Sequence, residues 1–333
     1  MTIRPASFSS ASITLDKRAA DHLMDLSIVI VNFRAWQHLK ACLHSLNYLV
    51  DAGTPSCEVI VVDNQSADGQ LAEFRQSFGW VRWLENTANR GFANGCNLGA
   101  ETATGETLLF LNPDCVDHSQ AVASCWELAG GRSQITSVQQ RGDQGQARKV
   151  GGQFPRWWTM AGPGRLLMSS LRRVGPTKML DNHQWVTGAF LMIRQRDYQA
   201  LGGWDDQYFM YSEDVDLCRR AERQGLPCVV LSQCSIIHHH GGSSRINPQV
   251  RALTRSEVVI SRHRYIQQHL TGARRKLAHS QVLLFEALPA MVISWLAAGT
   301  SVGQRGRYLR RFYQRVSRLD LWSSPHVQHP PEL

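Results

Sequence analysis

At 333 residues the chain is longer than the about 100–200 residues of one ordinary core, so it calls for one large domain with an extension, or for two domains. Hydrophobic residues make up 43% and charged residues 19%, a composition that excludes wholesale disorder. The net charge of +9 is uneven: residues 251–320 hold 13 Lys/Arg against 3 Asp/Glu, a local +10, and the rest of the chain stands at −1. That distribution excludes a nucleic-acid-coated body and predicts a near-neutral domain with a basic arm that meets an anionic surface.

The first residues, MTIRPASFSSAS, carry one early Arg and no continuous apolar core, so no secretory signal is expected and residues 1–25 read as a flexible extension. LSIVIVN (26–32) is a continuous β-branched run, a buried parallel strand ending in Asn32. Leu39, Leu43, Leu46 and Leu49 then recur at helical spacing. CEVIVVDN (57–64) is a second buried strand; a helical pattern with Leu71, Phe74 and Phe78 and a short strand VRWLE (81–85) follow. GFANGCNLGAETA (91–103) forms a helix after a glycine turn, and TLLFLNPD (107–114) is another buried strand. Strands alternating with helices predict βαβ units and an open parallel sheet. The strands run into Asn32, Asp63, Asn112 and Asp114, and ligands of such sheets bind beyond the carboxyl ends of the strands.

Residues 130–183 are rich in Gly, Gln and Arg and read as a long insertion or an acceptor-facing loop region. WVTGAFLMI (185–193) reads as one strand. Ser212 is the expected N-cap of a helix with carboxylates in its first turn and with Val215, Leu217, Cys218 and Ala221 on its buried face. PCVVLSQCSIIHHHGGSS (227–244) is a strand into a His- and Gly-rich loop. Residues 249–270 are helical, and an apolar helix (281–299) and a basic helix (304–319) end the pattern. The apolar stretch 282–299 contains Glu286 and Pro289 and is marginal against the about 20 apolar residues a spanning helix needs. The eight cysteines form no C-x-x-C pair, which predicts free thiols in a reducing cytosol.

Four clusters carry chemistry. Asp63, followed by NQSADG, either accepts hydrogen bonds from a ribose hydroxyl or base N–H, or serves as a turn residue. Asn112-Pro113-Asp114 either holds a divalent cation bridging two phosphates, or is an ordinary turn. Glu213, Asp214 and Asp216 lie between the aromatic FMY and an apolar helix face, where a carboxylate can serve as general base on a hydroxyl. His238-His239-His240 follows a strand and offers a metal ligand; with Cys228 and Cys234 the spacing departs from that of zinc sites.

These motifs occur in a fixed order: a strand ending N-F, then VVDNQSADG, NRGFANGCNLG, FLNPD, WVTGAF, GGWDDQYFMYSEDVDLCRR and HHGGSS. In that order they resemble glycosyltransferase family 2, in particular its bacterial rhamnosyltransferase-like branch, over residues 26–245. The resemblance implies an α/β GT-A fold with a mostly parallel central sheet flanked by helices, a nucleotide-sugar donor, a divalent cation (Mg²⁺ or Mn²⁺) and an inverting mechanism. The expected organisation is a GT-A domain at 26–248, followed, on the charge and helical pattern, by a helical basic extension at 249–320 and a tail at 321–333. Asp63 matches the family's nucleoside-contacting Asp. Asn89, Gly91, Phe92 and Asn97 match the segment packing by the donor nucleotide, to which Asn32 and Asn112 are added, and Gly188 and Ala189 match the strand that shapes the sugar pocket. Asp114 and His240 match the metal-binding residues, Asp214 the general base, with Glu213 beside it. Asn112 replaces the first Asp of D-x-D, and the processive Q-x-x-R-W motif is absent, which implies transfer of one sugar at a time.

The implied partners are a nucleotide sugar, a glycan or lipid-linked acceptor and an anionic membrane surface, with no nucleic acid, and the implied place is the cytoplasm or the inner face of its membrane. The C-terminal helices either lie on that membrane or pack on the domain or on a second copy. A catalytically silent nucleotide-sugar binder of the same fold is the alternative that Asn112 favours.

Overall fold

The computed structural model describes residues 24–53, 55–116, 118–166, 183–239, 248–296 and 300–319. The apolar runs of the first half become strands β1 (Leu26–Asn32), β2 (Cys57–Asp63), β3 (Arg82–Glu85) and β4 (Thr107–Leu111). Between them lie helices α1 (Trp36–Ala52), α2 (Leu71–Ser77) and α3 (Phe92–Thr102). Strands β1 to β4 are mutually parallel, and the register sets Asn32 directly beside Asp63 at their carboxyl ends. Every residue of β1 is buried, as expected of a strand covered on both faces.

Beyond β4 the sheet takes in the strands expected at 185–193 and 227–244 together with two that the sequence pattern does not announce, β5 (Cys115–Val116) and β6 (Ile135–Arg141), which flank helix α4 (Ser119–Ala129). The expected strand 185–193 is two strands in two sheets: β8 (Trp185–Val186) pairs with β7 (Gly151–Gly152), and β9 (Phe190–Arg194) enters the main sheet. The order of the main sheet is β3-β2-β1-β4-β9-β6-β10-β5, where β10 spans Cys228–His238. β9 is antiparallel to both β4 and β6, so the sheet is mixed rather than uniformly parallel. A continuous apolar run specifies burial on both faces, not strand direction.

Helices α5 (Gln195–Ala200), α6 (Glu213–Arg223) and α7 (Pro248–His269) follow, then α8 (Gly272–Val282), a π turn (Leu283–Ala287), α9 (Leu288–Leu296) and α10 (Ser301–Leu319). Ser212 is the N-cap of α6 by position, but its φ is +67° and its side chain makes no capping bond. One hydrophobic cluster joins β1 and β4 to α3 and α6, and continues without a break through Ile260 and Ile266 of α7, Val282 of α8 and Phe312 of α10. A second fills the opposite face of the sheet around α1 and α4. The inner faces of the C-terminal helices are therefore part of the domain core. All eight cysteines are free thiols.

Candidate active site

The carboxyl ends of β1 and β2 are tied by an amide network. Asn32 Nδ2 donates to Asp63 Oδ1 at 3.2 Å, and Ser66 donates to Asp63 through its backbone N–H (3.0 Å) and its hydroxyl (2.5 Å). Burial pushes the Asp63 carboxyl up, against those three hydrogen bonds. Of the two roles weighed for Asp63, the turn is visible in its contacts, and a carboxylate with about four acceptor positions retains one for a ligand. Arg34, Gln65 and Ala67 have positive φ around this point, the kind of strain that collects at ligand sites.

Asn64 extends the network. Its Nδ2 donates to Asn89 Oδ1 at 2.9 Å and to Gly91 O at 3.1 Å, and its Oδ1 accepts from Asn86. Gly91 has φ +99°, and a Cβ there would stand 2.1 Å from Phe209 O, which accepts the Phe92 N–H instead. A cleft opens here, lined by Val31, Phe33, Asn64, Asn89, Phe92 and Met210, and closed by Leu253 of α7. Asn89, Gly91 and Phe92 line this mouth; Asn32 and Asp63 are buried beside it, Asn32 O accepting the N–H of the lining residue Asn64, which follows Asp63. Asn97 is not among them: it donates to Trp204 O and accepts from Tyr198 and the Trp204 N–H, so it pins α3 to the Gly202–Trp204 turn.

A second group forms where β4 ends. Asn112 N–H donates to Ala189 O at 2.9 Å, and the turn brings Asp114 Oδ1 to 3.1 Å from His238 Nε2 at the end of β10. Asp114 is buried. Gln140 of β6 donates its amide to Thr187, which leaves its oxygen to accept from His238 Nδ1 at 3.0 Å. With its proton on Nδ1, the imidazole aims its Nε2 lone pair at a carboxylate oxygen, an arrangement that calls for a proton or a cation between them. Asp114, Cys115 and His238 have ligand atoms within 4.8 Å of one another. Burial and the neighbouring Asp114 hold the Cys115 thiol well above its ordinary range, so a carboxylate oxygen and an imidazole nitrogen are the donors on offer to a divalent cation. His240, the histidine singled out in the sequence, lies outside the described residues; among the described residues the histidine side chain that meets Asp114 is His238. The sequence signal for it is its place as the last residue of the strand.

Asp214 sits in the first turn of α6. Its carboxylate accepts the Val215 N–H at 2.8 Å and the Gly188 N–H. Burial raises its pKa to about 6, and Lys149, whose ammonium lies 5.2 Å from the Trp185 ring centroid, pulls the other way. Glu213 turns inward. Burial and the Asp214 charge push its carboxyl well up, and its Oε2 has no hydrogen-bond partner among the described residues. Asp216 is held by His269 Nε2 (2.7 Å) and Arg220 Nε (2.8 Å), which locks α6 to α7. Tyr211 and Ser212 both have positive φ immediately before the Asp214 turn. A Cβ on Gly188 would meet Phe92 at 3.3 Å, so the Asp214 corner adjoins the first mouth. Sequence reasoning missed Asn64, Gln140 and Lys149, polar residues in stretches read as turn or insertion, and within the histidine run 238–240 it singled out His240 rather than His238.

The sequence model of Glycosyl transferase family 2 matches residues 27–193. An N-acetylglucosaminyl-diphospho-decaprenol L-rhamnosyltransferase of Mycobacterium tuberculosis is 28% identical over 253 residues, 67% of this chain and 78% of its own length. Rhamnosyltransferase WbbL of Escherichia coli is 24% identical over 234 residues, 65% of this chain and 85% of its own. Among solved structures, a mannosyltransferase from Pyrobaculum calidifontis, determined with GDP-Man and Mn²⁺, superposes with a TM-score of 0.51. It covers 90% of this chain and 76% of its own at 13% identity, a likeness of GT-A fold.

Proposed function

We infer the reaction from one premise: the chain belongs to glycosyltransferase family 2. It is a glycosyltransferase, and the reading that its site supports best is metal-dependent, inverting transfer of a single sugar to an acceptor hydroxyl. One observation carries this reading. The corner Gly188-Ala189 holds both halves of such a site, since Gly188 N–H binds the Asp214 carboxylate and Ala189 O binds the turn that presents Asp114.

Asp214 accepts the proton of the acceptor hydroxyl. The oxygen so activated attacks the anomeric carbon from the face opposite the nucleoside diphosphate, and the configuration inverts in one displacement without an enzyme nucleophile. A divalent ion held by Asp114 and His238 would neutralise the charge gathering on the leaving diphosphate. The mouth around Asp63, Asn64 and Asn89 takes the nucleoside. The two relatives named rhamnosyltransferases support rhamnose as the sugar, for which we propose dTDP-L-rhamnose as donor, and the mycobacterial name supports a lipid-linked diphosphate acceptor.

The test is release of nucleoside diphosphate from a panel of nucleotide sugars with Mn²⁺ or Mg²⁺, with and without lipid-linked acceptor. Acceptor-stimulated release from dTDP-L-rhamnose, abolished by EDTA and by Asp214→Asn while donor binding persists, is the expected result. Tight nucleotide binding with no transfer to any acceptor would instead mark a silent binder.

A further inference from the structure

The C-terminal helices pack one side into the core and leave the other apolar and open. Ala278, Val282, Ala287 and Ala290 are buried. On the opposite side Leu277, Leu284, Phe285, Leu288, Val292 and Ile293 are exposed, Leu284 at 56% and Val292 at 62%. These residues lie on α8, the π turn and α9, and at about 1.5 Å per residue they form a stripe roughly 24 Å long. Gly272–Ile293 is long and apolar enough to cross a membrane by length and composition, but its alanine face is committed to the protein core. It is therefore placed to lie along a surface rather than to span a bilayer.

The charges around the stripe are of one sign. Residues 271–319 contain nine Lys/Arg and a single carboxylate, Glu286. Glu286 is neutralised within the fold by Arg165 and Arg262. Arg310 donates to Met291 O, which sets α10 alongside α9, and Arg307 and Arg311 are exposed on α10. Arg274 and Lys276 are exposed at the start of α8. A twofold pairing of this face with itself would bring cations onto cations, whereas an anionic bilayer satisfies the apolar stripe and its basic rim together.

We propose that the Leu277–Ile293 stripe, with Arg307 and Arg311 beside it, is a docking face for an anionic lipid bilayer. The proposal rests on the lipid-linked acceptor inferred above and says how the enzyme reaches it. Phe285 packs over Gly162, and Trp157–Thr159 packs against α8. That segment continues in sequence from β7, which pairs with β8 just ahead of the Gly188 corner that binds Asp214. The stripe is thus linked through this segment to the Asp214 corner, and docking by it holds the enzyme at the surface where the lipid of its substrate stays.

The experiment is co-sedimentation of the full-length protein with phosphatidylcholine vesicles, with and without phosphatidylglycerol, at low and high salt. The wild type is expected to bind the anionic vesicles, to bind less at high salt, and to bind pure phosphatidylcholine weakly. Leu284→Asn with Val292→Asn, and separately Arg307→Gln with Arg311→Gln, should each weaken binding at least tenfold. All four positions are exposed, so the thermal unfolding midpoint should not move. Equal partitioning of wild type and the Leu284/Val292 variant would overturn the proposal. So would a wild-type dimer that the same variant dissociates while vesicle binding is absent, because the stripe would then belong to a second copy. Donor hydrolysis in vesicle-free buffer is read in parallel; its absence counts against sugar transfer, and its persistence with no vesicle binding counts against the docking face alone.

Discussion

Asp214 is the residue on which the chemistry turns, and its titration is the sharpest handle on it. A general base works when ionised. With burial raising its pKa to about 6, activity should fall as pH drops through that point. Lys149 favours the ionised form, so Lys149→Met should move the acid limb of the kcat/KM profile to higher pH, with little change in activity on its alkaline side. A profile unchanged by that substitution would detach Lys149 from the base. The second handle is Gln140, which orients His238 from a buried strand position. Gln140→Leu should weaken Mn²⁺ binding in the presence of nucleoside diphosphate by about 10–100-fold, as loss of an outer-shell partner does, and this is readable by calorimetry without any turnover. Both residues escaped a reading based on apolar runs because they are polar, one in an exposed loop and one buried in a strand.

At the scale of elements, the parts that could be read were those whose burial is written in a period. β1, β2, β4 and the helices between them came out close to their expected bounds because apolar runs and helical spacing state which faces are covered. β6 was not legible: its Thr136, Ser137 and Gln140 are buried polar residues that serve neighbours, Ser137 donating to Phe190 O and Gln140 holding His238. The split of 185–193 was hidden for another reason, since Thr187-Gly188-Ala189 interrupts pairing through its contacts with Gln140, Asp214 and Asn112, partners distant in sequence. Gly91 shows what a single position can demand of an element. It combines φ +99° with a backbone oxygen at 2.1 Å from where a Cβ would be. Gly91→Ala should therefore cost about 1–3 kcal/mol in denaturant unfolding. It should also weaken donor binding, since the start of α3 would leave Phe209. Unaltered stability would mean that the Phe209 loop moves freely, contrary to its packing here.

For the whole molecule, the question is whether residues 249–320 form an appendage or a structural part of the domain. The charge map separates them from the rest, and their outer stripe fits a role at a surface, but their inner faces tell of integration. Leu309, Phe312 and Val316 of α10 are buried in the same cluster as Val29 and Phe110 of the sheet. His263 of α7 is buried and bonds His279 Nδ1 at 2.8 Å and Tyr313 OH at 2.5 Å, and Arg262 pairs with Glu286. Ending the chain after Leu270 would remove those partners at one stroke. At about 1.5–3 kcal/mol for each large apolar side chain, the three from α10 alone account for roughly 4.5–9 kcal/mol. That is comparable with the whole stability of an ordinary domain, about 5–15 kcal/mol. The truncated protein should be insoluble or should lose its cooperative thermal transition. A soluble fragment melting near the full-length midpoint would instead make the extension an independent unit. The same reasoning fixes how the membrane role is to be examined: deletion would destroy the core together with the stripe, and only substitutions on the outer face separate the two.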